Sequence, residues 1–131
     1  MREEVVREKL VNLLDETLEV LMKYGKSEKD VEWVGSEEWG WFTWEEFKEV
    51  AQDVWYDNGY GTEEIATDLV VVGGDWWLER YGYDGKEWWV FKTKPRRPAE
   101  RKRPKALCIR QVGKRWWFLC KLSELNEEVK K

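Results

Sequence analysis

The chain has no histidine, which removes the side chain most often used as a general base near neutral pH and the commonest nitrogen ligand for a metal. Cysteine is nearly as scarce: Cys108 and Cys120 are the only two, too few for a thiolate cage or a disulfide scaffold. All three prolines, Pro95, Pro98 and Pro104, fall in one short window, so nothing elsewhere carries the residue that breaks helices and central strands. No apolar run approaches the roughly 18 residues a membrane-spanning helix needs. The N-terminus opens on Arg2, Glu3 and Glu4 rather than on an apolar leader. There is also no glycine-rich phosphate loop and no serine elbow. Glu46-Phe47-Lys48 and Glu100-Arg101-Lys102 echo part of a metal-dependent nuclease signature, but neither follows an Asp on a strand. These absences describe a cytoplasmic, non-enzymatic protein with no metal, no cofactor and no membrane contact.

What the chain has in excess is tryptophan. Eleven are present, six of them in the adjacent pairs Trp76-Trp77, Trp88-Trp89 and Trp116-Trp117. Neighbouring side chains on a strand point to opposite faces, so each pair puts one indole on either side of a sheet. One can join a core, and the other needs a covering layer or a partner, because indole is a large apolar surface favoured at interface hot spots. Charge is as uneven. Residues 92–121 hold 12 Lys or Arg against the single acid Glu100, so that segment carries +11 and the remainder −15 within the net −4. Opposed potentials of this size steer charged partners unless the two segments neutralise each other.

Length and composition fit one domain spanning 1–131. Leu10, Leu13, Leu14, Leu18 and Leu21 recur at helical spacing and Gly25 supplies a stop, predicting a helix over 3–24. Val31 and Trp33, then Trp39 and Trp41, alternate with polar neighbours about a Gly35-Ser36 turn and predict a short hairpin. Thr43 and Glu46 form a capping box that opens a second helix, with Phe47, Val50, Ala51 and Val54 as its buried stripe. The segment from Tyr56 to Gly61 reads as a loop, Thr62 as the cap of a short helical turn through Ala66, and Leu69 to Val72 as a strand. Residues 76–81 and 87–93 form a hairpin about Tyr83-Asp84-Gly85. A second hairpin pairs 106–112 with 115–121, a register that sets Cys108 opposite Cys120, as buried, reduced thiols or, the lesser alternative, as a disulfide. Leu122, Leu125 and Val129 give a weak closing helix. The sum is an α+β domain with a largely antiparallel sheet of about four to six strands and two packed helices. Its expected core unites Leu10, Leu13, Leu14, Phe47, Val50 and Val54 with one member of each tryptophan pair.

Two stretches are candidate binding sites. From Glu37 to Asp68 the chain has ten carboxylates and one cation, Lys48, a density that imitates a nucleic-acid backbone and suits a basic groove on another protein. Within it Glu37, Glu38, Trp39, Trp41, Glu45 and Glu46 are the expected partner-binding residues, since an indole at a hairpin end among carboxylates is less readily buried than one in mid-sheet. The plainer alternative makes the acids solvated helix faces and the two indoles staples between hairpin and helix. The other stretch is the proline-stiffened loop 94–105, where Arg96, Arg97, Arg101, Lys102, Arg103 and Lys105 suit phosphate contacts, with exposed indoles available to stack on bases. An acidic protein surface would satisfy the same cations, and so would water. A sequence pI near 5.1 weighs against a dedicated nucleic-acid module.

The run from Asp68 through Asp75-Trp76-Trp77-Leu78-Glu79-Arg80, continuing through Tyr83-Asp84-Gly85-Lys86-Glu87-Trp88-Trp89 to Lys92, resembles a segment of small uncharacterised proteins of bacteriophages and prophages of Gram-positive bacteria. The likeness extends weakly to Trp44-Glu45-Glu46-Phe47 and the Tyr56–Gly61 loop. It brings no residue roles. It implies a setting in which small acidic proteins bind host factors, including as inhibitors of CRISPR and other defence nucleases. The resulting expectation is a non-enzymatic phage-type protein that inhibits or redirects a host protein, such as a basic nucleic-acid-binding nuclease. The alternative is a nucleic-acid-binding accessory protein.

Overall fold

The structure is a computed structural model, and it describes residues 10–59, 61–112 and 121–126. The chain divides into two compact units, Met1–Pro95 and Arg96–Lys131. The fold is α+β, and no helix among the described residues is long and apolar enough to cross a membrane.

In the first unit, strand β1 (Val11–Asn12) runs directly into helix α1 (Leu13–Lys23). Residues 10–12 therefore interrupt the helix expected over 3–24, and its described part begins at Leu13; residues 1–9 lie outside the described set. Asn12 caps the helix at this point. Its Oδ1 accepts the Asp15 amide at 3.0 Å as the N-cap, and its Nδ2 donates to the Gln52 carbonyl at 2.9 Å. Val11 and Asn12 pair with Tyr56 and Trp55 of β4 (Trp55–Tyr56), so part of the expected 56–61 loop is strand. At the other end Gly25, with φ of 69°, closes the helix as expected: the Lys26 amide donates to Leu21 and the Gly25 amide to Met22.

Strands β2 (Trp33–Ser36), β3 (Gly40–Phe42), β5 (Val70–Val72), β6 (Trp76–Tyr83) and β7 (Lys86–Thr93) form one antiparallel sheet in the order β3-β2-β5-β6-β7. Its register sorts the side chains into two faces. Phe42, Val34, Val71, Leu78 and Phe91 lie in one cross-strand row and join Leu13, Leu21, Trp44 and Phe47 in the core under α1 and α2 (Trp44–Ala51). The opposite face carries Trp33, Trp41, Val70, Val72, Trp77, Tyr81, Trp88 and Val90. Two tryptophan pairs split as the alternation predicts: Trp76 and Trp89 are buried at 3% and 5% exposure, while Trp77 is half-buried and Trp88 exposed. The third pair, Trp116-Trp117, lies outside the described residues.

The β2–β3 hairpin forms, but its turn is Glu37-Glu38-Trp39, and Gly35-Ser36 belong to the strand. Gly35 pairs with Trp41, and a Cβ there would stand 2.2 Å from the Gly40 carbonyl oxygen, so only glycine fits that close approach. The β6–β7 hairpin closes through Asp84 and Gly85 at φ of 53° and 81°, the mirror-image turn that an Asp-Gly pair favours.

Three further expectations are corrected. Val50 is 68% exposed; α2 buries Trp44, Phe47 and Ala51 instead, so the buried stripe is rotated away from Val50, and Val54 packs only partly against the core. Leu10 and Leu14 are likewise half-buried. Thr62 caps no helix, because the Glu64 and Ile65 amides donate to the Glu87 carboxylate rather than into a helical turn.

Residues 94–105, which run across the boundary between the units at Pro95, have neither helix nor strand, as the prolines require. Residues 106–112 are not a strand: Ile109–Val112 is a 3-10 turn, and Gln111 Oε1 accepts the Leu107 and Cys108 amides in a local loop. Cys108 is an exposed free thiol rather than a buried one, and Cys120 lies outside the described residues. Helix α3 (Leu122–Asn126) ends on Asn126, whose Oδ1 accepts the Lys105 and Ala106 amides and whose Nδ2 donates to the Ala106 carbonyl.

Candidate interaction surfaces

The six expected partner-binding residues occupy the β2–β3 turn, β3 and the first turn of α2. Glu37, Glu38, Trp39, Trp41, Glu45 and Glu46 are all exposed, with Trp39 at 81% and Trp41 at 69%. Backbone chemistry fixes this arrangement. The Trp39 amide donates to Ser36 Oγ at 3.0 Å, tying the turn, and Thr43 Oγ1 accepts the Glu46 amide at 3.1 Å while Glu46 Oε1 accepts the Thr43 amide at 2.9 Å. Glu46 is therefore committed to the helix cap, which leaves Glu37, Glu38 and Glu45 as the outward charges.

The structure separates the two indoles. Trp41 belongs to the open sheet face and borders a shallow depression of about 650 Å3 with Trp33, Glu32 and Glu37. Trp39 meets Phe42, a core-face residue, edge to face at 6.3 Å. The hairpin thus presents an aromatic group on each of its sides and acids at its tip.

Lys48, the only cation between Glu37 and Asp68, is shared between Glu45, 4.0 Å away, and a carboxylate outside this stretch. Its ammonium lies 3.0 Å from Glu28, whose other partner is the Trp44 indole N–H at 2.8 Å. The hydrogen bond from Trp44, then that from Lys48, hold the Glu28 carboxyl below its ordinary pKa, and the bond to Glu28 raises that of Lys48. On the open face Trp77 Nε1 donates to Glu79 at 2.6 Å and Lys92 lies 3.2 Å from the same carboxylate, which likewise lowers its pKa.

A buried ionic cluster under α1 escaped the sequence reading. The Arg80 guanidinium lies 3.0 Å from Glu87 and 3.4 Å from Glu16, donates to Tyr56 Oη at 3.0 Å, and stacks 4.7 Å from the centre of the Trp89 ring. Tyr56 donates to Glu16 at 2.5 Å, and Trp89 Nε1 donates to Thr17 Oγ1 at 2.9 Å. Arg80 Nε is buried without a hydrogen-bond partner. Every other polar group named is used by another element of the same unit, so the cluster serves to dock α1 and β4 on the sheet. One signal was available: Arg80 shares the strand phase of Trp76 and Leu78, which puts a cation on the core side.

Arg96, Arg97, Arg101, Lys102, Arg103 and Lys105 are all exposed on the irregular 94–105 segment, and Lys102 lies 4.0 Å from Glu100. Among the described residues no three Cys, Asp or Glu side chains gather into a group able to hold a metal ion. Comparison of the chain with protein-family models, with curated proteins and with solved structures returns no match.

Proposed function

We propose that this chain is a non-enzymatic binding protein that inhibits or redirects a basic host protein, of the phage anti-defence kind, with the β2–β3 hairpin as its contact element. The observation that carries this reading is the exposure of Trp39 and Trp41 on the two sides of a hairpin whose tip is Glu37-Glu38. A hairpin of that form suits insertion into a cationic cleft. Its carboxylates govern the encounter, and its indoles supply the apolar anchors that dominate the cost of truncation.

The test is affinity capture from lysate of the host, with and without nuclease treatment. Wild-type protein retains its partner after the treatment, and the variant carrying Glu37→Lys, Glu38→Lys and Glu45→Lys loses it while its circular dichroism spectrum is unchanged. Glu46 is left intact because it caps α2. Capture that vanishes with nuclease, or that survives the charge reversal undiminished, overturns the reading. A second reading, nucleic-acid binding, is favoured by a different observation, the run of exposed cations from Arg96 to Lys105 on backbone with no regular structure.

A further inference from the structure

Alongside α2 runs an apolar groove of about 310 Å3 walled by Trp39, Phe42, Phe47, Val50, Val54 and Leu69. Glu46 is the one charged residue among those described along it. The exposure of Val50 and Trp39 at this groove is what the amphipathic pattern of α2 does not account for: the helix already buries Trp44, Phe47 and Ala51, and Val50 extends that apolar surface outward into water.

Among the described residues, the charged sequence neighbours of the groove's lining are acidic apart from Lys48. Glu46 precedes Val50 by four residues, a spacing that sets it on the same flank of the helix, and the exposed Asp53 follows in the turn just past the end of α2. Glu38 adjoins Trp39 and Asp68 adjoins Leu69. Lys48, the one cation of this stretch, is engaged by Glu28 and is absent from the lining.

The geometry points to a cationic amphipathic helix of the partner as the occupant of this groove, a proposal that rests on the hairpin reading above and names the partner's shape. An extended peptide draws its affinity from an exposed strand edge, whereas this groove offers the side chains of α2, Trp39 and Leu69. A helix satisfies its own backbone and needs only such side-chain contact, through apolar residues at i, i+3, i+4 and i+7. Lysines or arginines on its flanks then meet Asp53, Glu38 and Asp68, which selects a basic helix over a neutral or acidic one.

The probe is a fluorescein-labelled peptide of leucine and lysine with leucine at those four spacings, followed by anisotropy against the full chain. Binding is saturable and weakens about tenfold or more for Val50→Gln and for Trp39→Ala, and a scrambled peptide of the same composition binds about tenfold or more weaker. Tyr83→Ala, at an exposed residue at the end of β6 that is not part of the groove, leaves it unchanged. Glutamine is a better helix former than valine, so the Val50 variant tests contact without endangering α2. Equal binding of the scrambled peptide, or no effect of Val50→Gln, overturns the proposal by reducing the interaction to charge alone. If the peptide fails to bind while host-protein capture stays sensitive to reversal of Glu37, Glu38 and Glu45, the helix assignment falls and the hairpin reading stands. If the peptide binds with the expected variant pattern while capture is insensitive, the groove assignment stands and the hairpin reading falls.

Discussion

Arg80 is the single residue most tightly woven into the first unit, because its guanidinium is shared by Glu16, Glu87 and Tyr56 from three separate segments. Its side chain is 3% exposed, as is that of Glu87. Removing it leaves two carboxylates without their cation, and Arg80→Met is expected to cost about 3–5 kcal/mol in urea unfolding. A cost under about 1 kcal/mol would show that water reaches the cluster as it reaches a surface pair. Tyr56 carries the alkaline counterpart. Burial, and then the hydrogen bond to Glu16, push its phenol pKa well above the ordinary value of 10.0. The folded chain keeps this proton where the unfolded chain has released it, so the stabilisation is complete below pH 10 and is lost as the pH rises above it. The loss amounts to at most about 1.4 kcal/mol per pH unit, and Tyr56→Phe flattens that part of the stability profile. An unchanged alkaline slope in the variant would assign the loss to other groups.

At the scale of elements, what was legible in the sequence obeyed local rules, and what was hidden depended on distant partners. The capping box of α2 joins residues three apart, the stop at Gly25 is a property of its own backbone, and Asp84-Gly85 makes its turn without outside help. Thr43→Ala is accordingly expected to cost about 1 kcal/mol and to melt the first turn of α2, read by thermal unfolding and by amide exchange at Glu46. No loss would mean that packing of Trp44 and Phe47 alone sets the helix start. By contrast, the break at residues 10–12 goes with strand pairing to Tyr56 and Trp55 and with the Asn12 side-chain amide donating to carbonyls some forty residues away. The turn expected at Thr62 is pre-empted by Glu87, more than twenty residues downstream. The apolar spacing of Phe47, Val50, Ala51 and Val54 fits a stripe in which Val50 and Ala51 both count, and only the position of the sheet decides that Ala51 is inside and Val50 out. The candidate surface shows the same division. Alternation and the acidic neighbours pointed to exposed indoles at 39 and 41, but their placement on different sides follows from a turn at 37–39 that Gly35-Ser36 had obscured.

For the molecule as a whole, the segregation of charge gives the two readings of function different salt signatures. If the 94–105 segment binds phosphates, changing Arg96, Arg97, Arg101 and Arg103 together to Ala lowers the log-log salt slope of nucleic-acid binding by on the order of one unit for each phosphate no longer neutralised. Retention on single- and double-stranded DNA that the change leaves untouched excludes the segment. The hairpin also has an optical consequence. Trp44, Trp76 and Trp89 are buried, whereas Trp39 and Trp41 are the most exposed of the described tryptophans, ahead of Trp55 and Trp88, and stand beside carboxylates. A dissolved anion is repelled from that neighbourhood and a cation is drawn to it, so caesium should quench the accessible fluorescence more efficiently than iodide, with the difference fading as inert salt screens the field. The chain thereby reports, through its own emission and without any label, the moment at which a partner covers its acidic edge.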